Sequence, residues 1–544
     1  MGSFASMFEL PLVLGSTVTI PIVLFIIGLV VGVKPLTALK SGLSVSFSIV
    51  GISLLIGRFG SLLLEIASML AERYEYAVPI TDAGRKAAMV ITGASEIGLY
   101  IIPLALAVNL ILLLVKATRT INVDLWSFWI FAFIGAMTES LTGNFGYGIM
   151  ASIVAVVFTL VMADSSAKGV EKCCGLPGVS LTNAMTASFA PVAGGVCALL
   201  DAIPMKTRRK DVTFGWLQKK IGYLGDPVLL STVLVIIMGF ISQSDIIYTV
   251  QLGMQVGAMV FITPKIMLLL GDSMLPIAAG LEKLSSERLN LRGNLTIGLS
   301  SVIGLGNPTT LLLSIIMVPI TLYVAYKLPG NQFLPQLDFS MLPYLLIMVV
   351  AICRGGLLRS FISSVITIVI MLYCATSLSG LFTQSAMIAD AEAYGTAGVI
   401  SSMYGAGSPL AWLTTKISGF GVAGMGLLVI AILALIIWNY NRLTGNVKIY
   451  VKKQMALRAS AIDDLKEEAQ RRKEMSKNAV SQKRAALRSA VEADKQAREG
   501  GIATSPSDAE QLIFSSPEEA IAAIEESADE DVKAYEPNAP KSEQ

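Results

Sequence analysis

Few groups in this chain could do chemistry in an apolar setting. The 544 residues include no histidine, and most of the 39 acidic and 41 basic residues crowd into loops and the C-terminal region. An ionisable or strongly polar side chain inside an apolar run therefore stands out. VITGASEIGLYIIP (Val90 to Pro103) sets Ser95 and Glu96 between Gly93 and Gly98, and SSVIGLGNPTTLLL (Ser300 to Leu313) sets Ser300 and Asn307 beside Gly304, Gly306 and Pro308. Glycine permits turns and close backbone approach, and proline frees a carbonyl. Unwound backbone in lipid is tolerated only where protein buries it or it lines a wet cavity, so a carboxylate there points to function. The plainer alternatives are a surface carboxylate for Glu96 and a helix cap or turn residue for Asn307.

Two more stretches join them. GLPGVSLTNAMTASFAP (Gly175 to Pro191) opens with breakers and continues with Ser180, Thr182, Asn183, Thr186 and Ser188. AFIGAMTESLTGNFG (Ala132 to Gly146) carries Glu139 and Asn144 near the end of an apolar run. Hydroxyls and carboxamides offer neutral donors and acceptors, which suits recognition of a hydroxyl-rich solute. Ser95, Glu96, Glu139, Asn144, Thr182, Asn183, Ser300 and Asn307 are thus the expected substrate-binding residues. No catalytic residue, metal site or cofactor is expected. Asp124 and Asp226 precede helical runs and read most simply as caps.

The elements that must position these residues are membrane spans. The chain is 54% hydrophobic and 15% charged, the composition of an all-α polytopic membrane protein. Apolar runs recur often enough for roughly ten or eleven crossings. The first, Leu12 to Val33, lacks the flanks of a cleaved signal and reads as a retained span. Basic residues in alternate connections favour an odd number of crossings, about eleven, with the C-terminus cytoplasmic. Arg58, Arg85 and Lys86 break that pattern and are expected in segments that fold back into the protein. The connection from Ser379 to Thr415 has no basic residue before its end and reads as a long external loop. Five cysteines show neither CxxC spacing nor a disulfide framework.

Sliding the chain against itself by about 211 positions superposes Gly28 on Gly239, Gly42 on Gly253, Gly60 on Gly271 and Gly93 on Gly304, and sets Glu96 on Asn307. A five-span unit copied once enters the membrane inverted, which is a transporter signature. The expected division is a permease domain over 1–445, with repeat one at about 12–165, a linking re-entrant region at 166–222, repeat two at about 226–378 and a last span at about 421–440. In the linking region, Gly175, Pro177 and Gly178 are expected to make the first turn, and Pro191, Gly194 and Gly195 the bend. A charged cytoplasmic helix over 446–499 and an acidic, disordered tail over 500–544 follow.

These motifs resemble a known family. GLPGVSLTNAMTASFAP, LGDPVLLSTVLVIIMG (Leu224 to Gly239), the segment Ile297 to Phe339, IGLVVGVKPLTALKSGL (Ile27 to Leu43) and NVDLWSFWIFAFIGAMTESLTGNF (Asn122 to Phe145) are similar, in order, to the galactitol-type enzyme IIC permease of the bacterial phosphotransferase system. The resemblance implies the ascorbate-galactitol superfamily fold. A core domain with re-entrant hairpins would move like an elevator against a scaffold that forms a homodimer, in the bacterial inner membrane. It also implies that a polyol is phosphorylated on delivery by a phosphocysteine enzyme IIB, itself supplied by a phosphohistidine enzyme IIA. Related permeases commonly carry histidine at the positions of Asn183 and Asn307 and aspartate at Ser300, so this chain is neutral at all three. The absence of histidine excludes a fused phosphohistidine domain, and phosphoryl transfer falls to separate partners. Net charge of +2 suggests no polyanionic or nucleic-acid partner. The rival reading is an ion-coupled secondary transporter in which Glu96 or Glu139 carries the coupling ion.

Overall fold

The computed structural model describes residues 18–76, 78–202, 212–287, 294–444 and Ser489. The chain divides into a unit ending at Gly445 and a second beginning at Asn446. The expected charged helix and acidic tail fall in the second unit and lie outside the described residues, apart from Ser489.

The first unit is mostly helical. Helices α1 (Val18–Val30) and α2 (Pro35–Tyr74) form a hairpin. After β1 (Thr81–Asp82) come α3 (Gly84–Ala94), α4 (Ile97–Leu114), β2 (Thr120–Asn122), α5 (Leu125–Thr142) and α6 (Phe145–Cys174). Strand β3 (Val179–Leu181) leads into α7 (Ala184–Ala187) and α8 (Ala190–Ala202). The later half runs through α9 (Phe214–Ile221), α10 (Pro227–Ile241), α11 (Ile246–Glu287), β4 (Thr296–Leu299) and α12 (Pro308–Lys327). It ends with α13 (Leu342–Ile352), α14 (Leu357–Ala389), α15 (Ala391–Tyr394), β5 (Ile400–Ser401), α16 (Pro409–Ser418) and α17 (Val422–Thr444). Among the described residues eight helices are long and apolar enough to cross a membrane, or nine if the bent pair Phe214–Gly225 and Pro227–Ile241 is one span. Val18–Val30 and Asp338–Ile352 are apolar but shorter. The molecule is a polytopic membrane protein, and among the described residues several apolar runs are broken partway.

The breaks at Ser95 and at Ser300 to Asn307 fall where the sequence placed them, and very short parallel strands hold the broken segments. Strand β4 lies between β2 and β3, pairing Thr120 with Thr296 and Leu181 with Leu299. Strand β1 pairs with β5, and Ile80 bridges to Phe333. Each small sheet thus joins one segment from one half of the chain to two from the other. Pairing satisfies backbone groups that lipid could not. Gly298 at the centre of β4 has no alternative, because a Cβ there would collide with the methyls of Thr120 and Thr182.

Helices α2 and α11 lie antiparallel along each other. Gly51 packs on Ile266, Arg58 donates to Gln255 at 2.6 Å, Tyr248 donates to Glu65 at 3.2 Å and Ser244 reaches Met69 at 3.2 Å. Ile246, Ile247, Met254, Leu268 and Leu269 on α11 remain exposed, as a lipid-facing or subunit-facing surface requires.

Two expectations change here. Pro191, Gly194 and Gly195 do not make the bend of the linking region: all three lie inside α8, where Pro191 in the first turn forfeits no helical hydrogen bond. The bend is at Thr182 to Phe189, around the one-turn helix α7. The segment Ser379 to Thr415 is not an external loop. Helix α14 continues to Ala389, and β5 with α16 forms a second hairpin.

Candidate functional site

The two hairpins meet tip to tip. The first leaves the end of α6 through Gly175, whose φ of +66° favours glycine, and returns along α8. Its returning end packs on the connection after α13 and the start of α14: Cys197 Sγ is 3.3 Å from Cys353 Sγ, and Arg359 pairs with Asp201 at 2.6 Å. At its tip Asn183 caps α7, its carbonyl oxygen accepting from the N–H groups of Met185 and Thr186. Thr182 donates to Asn122 Oδ1 at 2.9 Å, and Ser127 lies between the carbonyl of Thr182 and the carboxylate of Asp124. Thr186 donates to Leu345 O and accepts from Met348 N, seating the tip in the first turns of α13.

The second tip is Ser402 to Gly407. Asp338 accepts from Ser402 Oγ at 2.7 Å and from Tyr404 N at 3.2 Å with one oxygen, and from Arg85 N at 2.9 Å with the other. Asp82 in turn accepts from the N–H groups of Leu337, Asp338 and Gly84. Both carboxylates are buried, and each is surrounded by donors, the condition under which burial of an anion is tolerable. The two tips join where Asn183 Nδ2 donates to the Tyr404 hydroxyl at 2.8 Å.

One face of α5 looks onto this junction. Trp126, Trp129 and Phe133 recur at intervals of three and four residues, which aligns them on one side of a helix. Trp129 stacks on Tyr404 with ring centroids 6.3 Å apart, and Phe133 packs against Gly405. Tyr344 of α13 meets the Tyr404 ring edge-on at 6.3 Å. The guanidinium of half-buried Arg85, in the first turn of α3, lies 5.4 Å from the centroid of Trp126. Among the described residues no cluster of three or more acidic, cysteine or histidine side chains could hold a metal.

The residues singled out from the sequence sort into three places. Ser95 donates to Glu139 at 2.9 Å; Glu96 is exposed at the next position, and Asn144 caps α6 across the Gly143 turn. These four lie at one end of α5 and α6. Thr182, Asn183 and Ser300 lie near the other end of α5, with Thr182 N donating to Leu299 O and Ser300 capping its own short turn. Asn307 lies at the far end of α6: it caps α12 and donates to Cys173 O at 2.6 Å. Ile97, beside Glu96, packs at Gly148 near the start of α6. From Gly148 to Cys173 a straight helix rises about 37 Å. The bends at Glu96 and Asn307 therefore do not face each other across one pocket; they occupy opposite ends of a spanning helix.

Sequence reasoning missed Tyr404, Trp129, Tyr344, Arg85, Asp82 and Asp338. A signal existed for the second tip: Gly398-Val399, then Ser402, then Pro409 repeats the order Gly178-Val179, Thr182, Pro191 of the first. The others gather only through contacts distant in sequence.

Comparison with known proteins identifies the family. The family model of the sugar-specific permease component of the phosphotransferase system matches residues 12–397. The chain belongs to this family. A galactitol-specific EIIC component of Escherichia coli (strain K12) is 32% identical to the permease over 417 residues, 76% of this chain and 91% of that protein. The protein of that name from Escherichia coli O157:H7 matches equally. Another Escherichia coli (strain K12) protein, named as a permease IIC component, is 32% identical over 420 residues, 77% of this chain and 95% of its own length. The matched region holds Arg85, α5 and the first tip, and stops just before β5. The permease carries the paired hairpin beyond it.

Proposed function

We propose that the permease imports a galactitol-like polyhydroxy solute, bound where the two hairpin tips meet, and hands it to separate enzyme IIB and IIA proteins for phosphorylation in the cytoplasm. The observation that carries this reading is the Asn183 to Tyr404 contact beneath the aromatic face of α5. Broken, polar backbone enclosed between hairpins and flanked by aromatic rings is the setting in which hydroxyl-rich solutes are recognised. The names of the relatives favour galactitol as the first solute to try. Phosphorylation adds about 1.5 to 2 negative charges, so the product does not return through an apolar route.

The element order supports an inverted duplication. Hairpin α1–α2 corresponds to α10–α11, α4 to α12, α5 to α13 with its preceding turn, α6 to α14, and the first tip with α8 to the second tip with α16. The exchanged strands β1 and β4 fit a pseudo-twofold axis in the membrane plane. On this plan both hairpins are re-entrant, from opposite faces, and the crossings number about eleven. The C-terminus is cytoplasmic, and the long helices α2 and α11 with their partners form a scaffold for a homodimer past which the core slides. Ser95, Glu96, Glu139 and Asn144 then line one vestibule, Asn307 the other, and Thr182, Asn183 and Ser300 the space between.

Uptake of labelled galactitol and related polyols by cells holding the permease and its phosphotransferase partners tests the location. Trp129→Ala and Asn183→Ala should lose uptake with membrane abundance unchanged; wild-type uptake in both would sink the proposal. Uptake into vesicles driven by an ion gradient alone, without phosphotransferase proteins, would favour an ion-coupled transporter instead.

A further inference from the structure

The five cysteines do not all stand alike. Cys374 is buried in the middle of α14. Cys173 and Cys174 close α6, where the sulfur and the carbonyl oxygen of Cys173 receive Asn307 Nδ2 at 3.2 and 2.6 Å. Cys197 and Cys353 are 156 residues apart in the chain, yet their sulfurs are 3.3 Å from each other. A disulfide needs about 2.05 Å, so an approach of roughly 1.3 Å separates this contact from a covalent bond. Backbone able to absorb such a shift is at hand. Cys353 caps the end of α13 and is followed by Arg354 and Gly355, both at positive φ.

The pair has the asymmetry of a reactive thiol and its resolving partner. Cys197, on α8, is half-buried, whereas Cys353 is 2% exposed, with Ser363 Oγ 3.5 Å from its sulfur. Arg359, which pairs with Asp201 at 2.6 Å, also acts on Cys197. Reactive cysteines stand at partly exposed positions beside a cation, and redox-sensing ones stand next to a second cysteine. Cys197 is about 10 Å along α8 from Ala190, so neither sulfur is among the groups that hold the tips. The thiol contact and the Arg359 to Asp201 pair fasten the root of the first hairpin, and both are noncovalent.

We propose that Cys197 and Cys353 are an oxidisable dithiol, a reaction site for a hydroperoxide, whose closure to a disulfide staples the first hairpin to the α13–α14 connection and slows uptake. The Cys197 thiolate attacks the O–O bond of the peroxide and keeps one oxygen as a sulfenic acid. The other oxygen leaves with the proton the thiol gave up, as water or an alcohol. The Cys353 sulfur then attacks the sulfenic sulfur, the S–S bond forms and water departs. The two electrons lost by the thiols have passed to the peroxide, and a cellular dithiol returns the pair to its reduced state by exchange. The effect on uptake rests on the reading that solute passes between the tips. To admit or release it Asn183 must part from Tyr404, and withdrawal of the first tip pulls on its root through α8. A covalent root resists that motion where an ion pair and a thiol contact yield.

The test treats the purified full-length permease with hydrogen peroxide, removes the peroxide, and follows uptake of labelled galactitol into vesicles supplied with untreated phosphotransferase partners and phosphoenolpyruvate. Oxidation of a partner protein then contributes nothing. The treated permease should lose two hydrogens by intact mass and yield, on digestion without reductant, a peptide pair linking Cys197 to Cys353. Its uptake should fall by about fivefold or more and return with dithiothreitol, because a conformational step has been blocked and no binding group removed. Cys197→Ser and Cys353→Ala should transport within about twofold of wild type before treatment and be unmoved by it. Oxidation of Cys173, Cys174 or Cys374 without a Cys197 to Cys353 bridge overturns the proposal, as does peroxide inhibition that persists in both variants. A bridge that leaves uptake unchanged overturns the switch, and Asn183→Ala then separates the two failures. Loss of uptake in that variant keeps the tips as the solute site, and wild-type uptake removes them as well.

Discussion

The two hairpins converge on one contact but are anchored by different chemistry. The first tip is held by neutral groups: Asn183 caps its own helix, Thr182 bonds Asn122, and Ser127 bridges to the nearest carboxylate. The second tip hangs directly on Asp338, which is itself held through Asp82 from a segment 256 residues earlier. A neutral network tolerates loss of one member better than a buried anion does, because a desolvated group left without its partner carries the larger penalty. The second hairpin is therefore the more fragile of the two, although the first holds the denser motif.

The largest effect should follow from Asp338→Ala. It strips acceptors from Ser402 Oγ, Tyr404 N and Arg85 N at once and leaves Asp82 beside a reorganised turn. We expect a loss of about 3 to 5 kcal/mol in stability and no uptake, read by unfolding in detergent and by transport. Asp124→Ala, which removes the cap of α5, should cost only about 1 to 2 kcal/mol. Equal losses in the two variants would erase the proposed asymmetry between the hairpins.

A smaller effect isolates the junction itself. Asn183→Ala and Tyr404→Phe delete the same hydrogen bond from opposite sides; Tyr404→Phe should cost about 1 kcal/mol in stability, Asn183→Ala, which also removes the cap of α7, about 2 to 3 kcal/mol, and the double variant should cost less than the sum. Strict additivity would mean that the tips do not couple, and that the 2.8 Å contact between them carries no energy.

What the sequence disclosed and what it hid divide along the same line. The entry of the first hairpin was legible because its signals are local, Gly175 and Gly178 both standing at positive φ, whereas Pro191, expected at the bend, lies in the first turn of α8. The breaks at Ser95 and Asn307 were legible for the same reason. The second hairpin was read as a loop because its decisive partner, Asp338, is 64 residues from Ser402, and its own run offers small residues without a strong periodicity. Arg85 was recognised as misplaced for a surface loop, but nothing near it in sequence reveals Trp126 or Tyr404 as its surroundings. Glu96 and Asn307 were correctly found at breaks, yet these breaks lie at opposite ends of α6, so the sequence match between them does not bring them together.

The remaining expected effects, the smallest of them at Asn144, test that last point at the two bends. Asn307 is buried, caps α12 through the N–H groups of Thr309 and Thr310, and donates to Cys173 O. Asn144 is exposed and caps α6 through Tyr147 N alone, at 3.2 Å. Asn307→Ala should cost about 2 to 3 kcal/mol, a cap together with a buried hydrogen bond. Asn144→Ala should cost about 1 kcal/mol or less, with uptake within about twofold of wild type, because a vestibule group passed by a solvated solute adds little to the barrier. A steep fall in uptake by Asn144→Ala, with the unfolding midpoint unmoved, would instead make this asparagine a ligand. The binding region would then have to extend along α5 by about 20 Å from the tips to its Glu139 end, and the junction of the hairpins would be one station on a longer path.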